Sequence, residues 1–273
     1  MRKATTLLPD YKKPPVSEVA ISVQFEDLHG FPAPYLGDLW GLFGREDFPN
    51  TQNREMMSPM PGTQKENRIS LVDPSCEIPR VWFLSKDEAE LIQFQQDRLA
   101  FNWRKLKNGN NYPRYPHVIK KFEHVLNALE KFAKSHKKTI AYDTLELMYV
   151  NIIPFEDFGG APNIGKCLKD AVWHDGHSFL PEPSKYNGLW EFELPDLNGR
   201  MLANAYSAQQ ITDGKPVLRF DITIRGQYAS PFDKNIKSML SWYDQAHEHI
   251  VRGFDDLTVS TMHKKWGKDV RSK

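Results

Sequence analysis

The chain repeats a short pattern, and that repetition limits its architecture more than any other feature. Glu18-Val19-Ala20-Ile21 is followed by Phe25-Glu26-Asp27-Leu28. Further on, Glu146-Leu147-Met148-Tyr149 is followed by Phe155-Glu156-Asp157-Phe158, with two extra residues between the blocks. What comes after each copy reads in the same order: strand, helix, polar loop, three-strand meander, helix. A duplicated supersecondary unit predicts a pseudo-two-fold domain whose site sits where the halves meet. The units are expected at residues 16–137 and 143–258, with 1–15 and 259–273 as tails.

Periodicity assigns the elements. Val19, Ile21, Val23 and Phe25 alternate with Glu18, Ala20, Ser22 and Gln24, as in a strand buried on one side. Leu36, Leu39, Trp40 and Phe43 predict a helix over 35–48, and the polar, proline-bearing stretch 50–68 a long loop. Strands are expected near 69–72, 80–85 and 90–103. Val118, Phe122, Val125, Leu129 and Phe132 then recur at helical spacing behind Pro116, which suits a first turn. In the second unit, strands are expected at 144–153, 189–194, 201–211 and 217–226, a short helix at 163–173 and a loop at 174–188. Ser230-Pro231-Phe232-Asp233 has the form of a capping box. The long helix behind it carries Ile236, Leu240, Tyr243, His247, Ile250, Phe254 and Leu257 as its inner stripe. Meanders joined by short turns imply an antiparallel sheet with helices on one face, an α+β fold. The halves either fuse into one sheet or pack face to face.

The bulk chemistry narrows the function classes. The chain has 273 residues with a formal net charge of +1, so no whole-molecule field draws it to nucleic acid or an anionic membrane. Cys76 and Cys167 provide no disulfide framework and predict free thiols in a reducing compartment. The first fifteen residues hold no apolar run for a secretory signal, and no run is long enough to span a bilayer. A soluble cytoplasmic protein is expected, with no membrane partner.

Several motifs fail on chemical grounds. Gly160-Ala161-Pro162-Asn163-Ile164-Gly165-Lys166-Cys167 has phosphate-loop spacing, but Cys167 stands where a magnesium-binding hydroxyl is required. Cys167, His174, Asp175 and His177 are metal-capable types without a paired-cysteine motif, so no metal and no cofactor is expected. His247 and His249 lie on different faces of their helix, and His247 suits a hydrogen-bonded core or interface position. There is no G-x-S-x-G and no H-E-x-x-H. No catalytic residues are assigned; an enzyme with an unmarked site remains an alternative.

The sheet face away from the helices is the expected site. Leu218, Phe220, Ile222 and Ile224 alternate with Arg219, Asp221, Thr223 and Arg225. Aligning Ile92-Gln93-Phe94-Gln95 with Leu218-Arg219-Phe220-Asp221 places Gln93, Gln95 and Asp97 on the matching polar side, with Glu18, Ser22, Gln24 and Glu146. The expected binding residues are Glu18, Gln93, Gln95, Asp97, Arg219, Asp221 and Arg225, with Asn102 and Arg104 at the edge. The two long loops would lie over this face as lids. A second reading uses the basic segment 102–121. There Arg104, Lys105, Lys107, Arg114, Lys120 and Lys121 interleave with Trp103, Tyr112 and Tyr115, a composition suited to nucleic acid.

The run Arg80-Val81-Trp82-Phe83-Leu84-Ser85, the segment from Leu91 to Arg98, Asn102-Trp103-Arg104 and Tyr112-Pro113-Arg114-Tyr115 together resemble a sporadically distributed bacterial family. Its members are proteins near this size with no assigned activity. Pro14-Pro15-Val16-Ser17-Glu18-Val19 and Tyr149-Val150-Asn151 fit the same resemblance. It implies no catalytic assignment; its patchy distribution implies a mobile, defence- or toxin–antitoxin-associated setting. At the level of topology, the repeated unit also resembles duplicated small-molecule sensor domains and the saddle-shaped TATA-binding fold. The leading expectation is a non-enzymatic binding protein holding a small ligand or a protein partner on its polar sheet face.

Overall fold

The computed structural model describes residues 7–26, 28, 32–58, 60, 80–106, 109, 111–173, 179–210, 213–228 and 235–269. The strand expected near 69–72, the capping box at 230–233, Cys76, and His174, Asp175 and His177 lie outside them.

Among the described residues, nine antiparallel strands form one open sheet. In chain order they are β1 (Val16–Phe25), β2 (Asn50–Arg54), β3 (Arg80–Leu84), β4 (Glu90–Gln95), β5 (Arg98–Arg104), β6 (Tyr142–Pro154), β7 (Asn187–Leu194), β8 (Gly199–Gln209) and β9 (Pro216–Gln227). Across the sheet the order is β2-β3-β4-β5-β1-β6-β9-β8-β7, with the two echo strands β1 and β6 side by side at its centre. The helices are α1 (Tyr35–Phe43), α2 (Tyr115–Ser135), α3 (Ile236–Leu257) and α4 (Ser260–Lys265). This is the expected α+β class, with the halves of the chain joined in one sheet.

The long helices α2 and α3 contact β5, β1, β6 and β9. Val19, Ile21, Val23 and Phe25 are fully buried under them, as are Leu218, Phe220, Ile222 and Ile224. The expected α2 stripe is buried throughout. On α3 it is rotated: Met239, Trp242 and Ala246 are buried, whereas Ile236 and Leu240 are only partly covered. Trp242 is drawn inward because its indole Nε1 donates to the Leu197 carbonyl at 3.0 Å. Tyr243 ties α3 to the central strand by donating to the Ser22 carbonyl at 2.7 Å.

Four other expectations change. The strand expected over 90–103 is a hairpin, because Gln96 and Asp97 form a turn between β4 and β5. It is therefore β5 that neighbours β1, and β9 that neighbours β6. Gln93 and Gln95, one strand further out, do not hold the place of Arg219 and Asp221. Residues 50–54 form edge strand β2 inside the expected loop. The helix expected over 35–48 stops at Phe43, where Gly44 adopts φ 97°. The stretch expected as a helix over 163–173 holds only a 3-10 turn, Ala161–Lys166.

The chain ends described here are packed. Tyr11 forms an isolated bridge with Lys268 and meets Phe254 edge-on at 5.6 Å and Trp266 at 6.1 Å. The two sheet edges differ: β2 is Asn-Thr-Gln-Asn-Arg, whereas β7 carries exposed Leu189 on one face with Glu191 and Glu193, and exposed Phe192 on the other. Among the described residues, no helix is long and apolar enough to cross a membrane.

Candidate functional site, a polar floor on the open sheet face

Strand alternation sends every second side chain to the face without helices, and the ladders line these up in cross-sheet rows. One row runs Arg104, Glu18, Val150, Asp221, Asn204. The next runs Asn102, Ala20, Met148, Thr223, and a third runs Gln93, Ala100, Ser22, Glu146, Arg225, Arg200. A fourth runs Gln95, Arg98, Gln24, Thr144, Gln227. Eight of the nine expected residues lie on these rows or directly beside them; Asp97 sits in the β4–β5 turn.

The centre of the floor is a hydrogen-bonded chain. Asn102 Nδ2 donates to Glu18 Oε1 at 2.6 Å, and Gln93 Nε2 donates to Asn102 Oδ1 at 2.7 Å. Trp82 Nε1 donates to Gln93 Oε1 at 2.9 Å. Burial pushes the Glu18 carboxyl above its ordinary value, more than the Asn102 bond and the nearby Arg104 and Arg219 pull it down. The guanidiniums of Arg54, Arg80 and Arg104 lie 4.2, 5.7 and 5.6 Å from the Trp82 ring.

Beyond β6 the charges are paired. Arg219 Nε donates to both Asp221 oxygens at 3.0 and 2.9 Å. Arg225 grips Glu146 Oε2 through Nε at 2.8 Å and an amino group at 2.5 Å. Burial raises the Asp221 carboxyl, and Arg219 opposes it.

The cover over part of the floor comes from the 50–68 loop expected as a lid, but sequence reasoning missed how it is held. Residues 55–58 and Met60 run across the β1–β4–β5 part of the floor as a strap, held by side chains that grip main chain. Met57 N donates to Gln95 Oε1 at 2.8 Å, while Gln95 Nε2 donates back to the Met57 carbonyl at 3.0 Å. Arg98 donates to the Ser58 carbonyl at 2.8 Å, and Met60 N donates to Gln24 Oε1 at 2.8 Å. This part of the polar face is therefore buried: Gln24 is 0% and Gln95 3% exposed. Arg98, a basic residue at an outward strand position, was the available signal. Gln24 Nε2, Arg98 Nε, Arg80 Nε and Thr144 Oγ1 are buried with no hydrogen-bond partner among the described residues.

The other candidate groups are placed as follows. Trp103 and Tyr115 of the basic segment are buried, which removes two of its stacking surfaces from solvent. Arg114 pairs with Asp10 at 3.0 Å and Lys121 with Glu90 at 3.5 Å. Cys167 is buried, its thiol pushed up to about 12 by burial and the nearby Asp157. Among the described residues there is no group of three or more metal-capable side chains. No protein-family model and no curated protein matches the chain.

Proposed function

We propose that this protein is a non-enzymatic binding protein that docks an extended segment of a protein partner on the polar floor, on its β8–β9 side. The observation that carries the reading is the strap. Gln95, Arg98 and Gln24 hydrogen-bond the main chain of Met57, Ser58 and Met60, so the floor already reads peptide backbone rather than a particular side chain.

The ladders support a second copy of this receptor. Glu18 faces Arg104 across β1–β5, and Glu146, its echo, faces Arg225 across β6–β9. Matching those glutamates also matches Gln24, which faces Arg98, with Ile152, which faces Arg219. A duplicated unit would put its pseudo-two-fold axis at the Ala20–Met148 pair, the register that this matching requires. Arg219, Asp221 and Arg225 then stand on the second half as Arg98, Ala100 and Arg104 do on the first. The Arg219 side chain remains 36% exposed, and it offers a guanidinium to a visiting carbonyl as Arg98 offers one to Ser58.

An array of short synthetic peptides tests this. The wild-type chain is expected to retain a set of peptides that the Arg219→Ala, Asp221→Ala double variant loses while melting at an unchanged temperature. A folded double variant that retains the same set overturns the assignment.

A further inference from the structure

The helix-covered side of the sheet holds a separate cavity that the polar floor does not share. It has a volume of about 300 Å³ and lies between the N-terminal segment, the start of α2 and the middle of α3, over β1 and β6. Its walls combine aromatic rings, from Tyr11, Tyr112, Tyr115, Tyr149, His247 and Phe254, with aliphatic side chains. That volume is at the small end of ligand pockets, and an α-helix about 10 Å across would not enter it.

Inside, three polar groups are wired together. The hydroxyls of Tyr112 and Tyr149 are 2.9 Å apart, and Tyr149 reaches His247 Nδ1 at 3.1 Å. Tyr115 lies flat on the His247 ring, with centroids 3.9 Å apart and planes within 6° of parallel, and donates from its own hydroxyl to Asp244 at 2.9 Å. Burial lowers His247 to about 4 and raises Tyr112 to about 12, so the chain is neutral at physiological pH.

A neutral imidazole has one donor and one acceptor nitrogen. If Nδ1 accepts, Tyr149 donates to it, Tyr112 donates to Tyr149, and the Tyr112 oxygen is left with lone pairs. If Nδ1 carries the proton, every bond reverses and Tyr112 has a hydrogen to donate. The end of the wire thus accommodates either polarity of partner. The one cation on the wall, Arg114, donates to Asp10 at 3.0 Å and to the Tyr11 carbonyl at 2.9 Å, so the rim carries a compensated pair.

We propose that this cavity binds a neutral, flat aromatic molecule of one or two rings that carries a hydroxyl or carbonyl group. The rings supply stacking and edge contacts, and the Tyr112–Tyr149–His247 wire receives the polar group. The absence of a net charge on the walls sets the preference for neutral ligands over aryl carboxylates or aryl ammonium ions, which would be desolvated without a counter-ion.

Fluorescence titration of the full chain with 2-naphthol tests this, with 2-naphthoate and naphthalene as comparisons. Saturable binding of 2-naphthol, tighter than either comparison, is expected. Tyr112→Phe keeps the ring and is expected to weaken 2-naphthol about tenfold while leaving naphthalene unchanged, the size of one hydrogen bond. Val251→Phe, which fills the cavity from α3, is expected to abolish both. No saturable 2-naphthol binding, tighter binding of 2-naphthoate, or equal 2-naphthol affinity in folded Tyr112→Phe each overturns the proposal. The peptide-array result does not bear on it, because that site is on the other face.

Discussion

Gln95 binds Met57 as one strand binds another, its amide accepting from the Met57 N–H and donating to the Met57 carbonyl. A side chain here supplies the pairing that a tenth strand would otherwise give. Gln95→Ala leaves both main-chain groups without that partner. The expected cost is about 1–3 kcal/mol in urea unfolding, and limited proteolysis is expected to begin within residues 55–60.

Glu18 holds its proton more tightly in the folded chain than a free carboxylic acid does, chiefly through burial. For a raised carboxyl, the native state is favoured at low pH, and that advantage is lost as pH rises from the ordinary value through the native one. Glu18→Gln keeps an acceptor for Asn102 without the charge. Its melting temperature at neutral pH is expected to equal or exceed that of the wild type, with the difference vanishing in acid. A lower melting temperature at neutral pH would show that the charged form is held by more than Asn102.

His247 titrates in the opposite sense. Burial holds it at about 4 against an ordinary 6.5, so the unfolded chain takes up a proton that the folded chain refuses. Stability from this group is present above pH 6.5 and is lost as pH falls from 6.5 toward 4. In His247→Gln the denaturation midpoint is expected to vary less with pH over that window. A wild-type slope in the variant would assign the acid sensitivity to another group.

Gly199 and Gly226 face each other across β8–β9, and neither position has space for a methyl group. A Cβ on Gly199 would sit 2.2 Å from the Arg225 carbonyl oxygen, and one on Gly226 would sit 2.5 Å from that of Leu197. Gly199→Ala is expected to destabilise the chain by about 1–3 kcal/mol, measured by chemical denaturation.

The alternation in β1 and β9 and the stripe of α2 could be read from sequence, because burial on one side writes a period into the residues. The hairpin at Gln96-Asp97 could not. Leu91 to Trp103 alternates enough to pass for one strand, and its break is marked only by the polar run Gln95-Gln96-Asp97-Arg98, which lacks the glycine or asparagine of a tight turn. That error carried into the alignment of Gln93 with Arg219. The polar floor was legible as a face and the 50–68 loop as its cover, yet the grip between them was not, since Gln24, Gln95 and Arg98 look like solvated outward residues until main chain is laid over them. The aromatic cavity was less legible still. Tyr112 and Tyr115 stood in a basic segment and His247 on a helix stripe, and nothing local to those positions announces that they converge on Tyr149.

The unequal sheet margins bear on how copies of the chain tolerate one another. The β2 margin is wholly polar, whereas β7 sets Leu189 and Phe192 beside Glu191 and Glu193, with Glu191 held by Arg200 at 2.8 Å. Two such margins brought together would juxtapose like charges, so the acids act as gatekeepers against end-to-end growth into ribbons. Replacing Glu191 and Glu193 with glutamine would leave the apolar residues unguarded, making turbidity of that variant the signature of this margin.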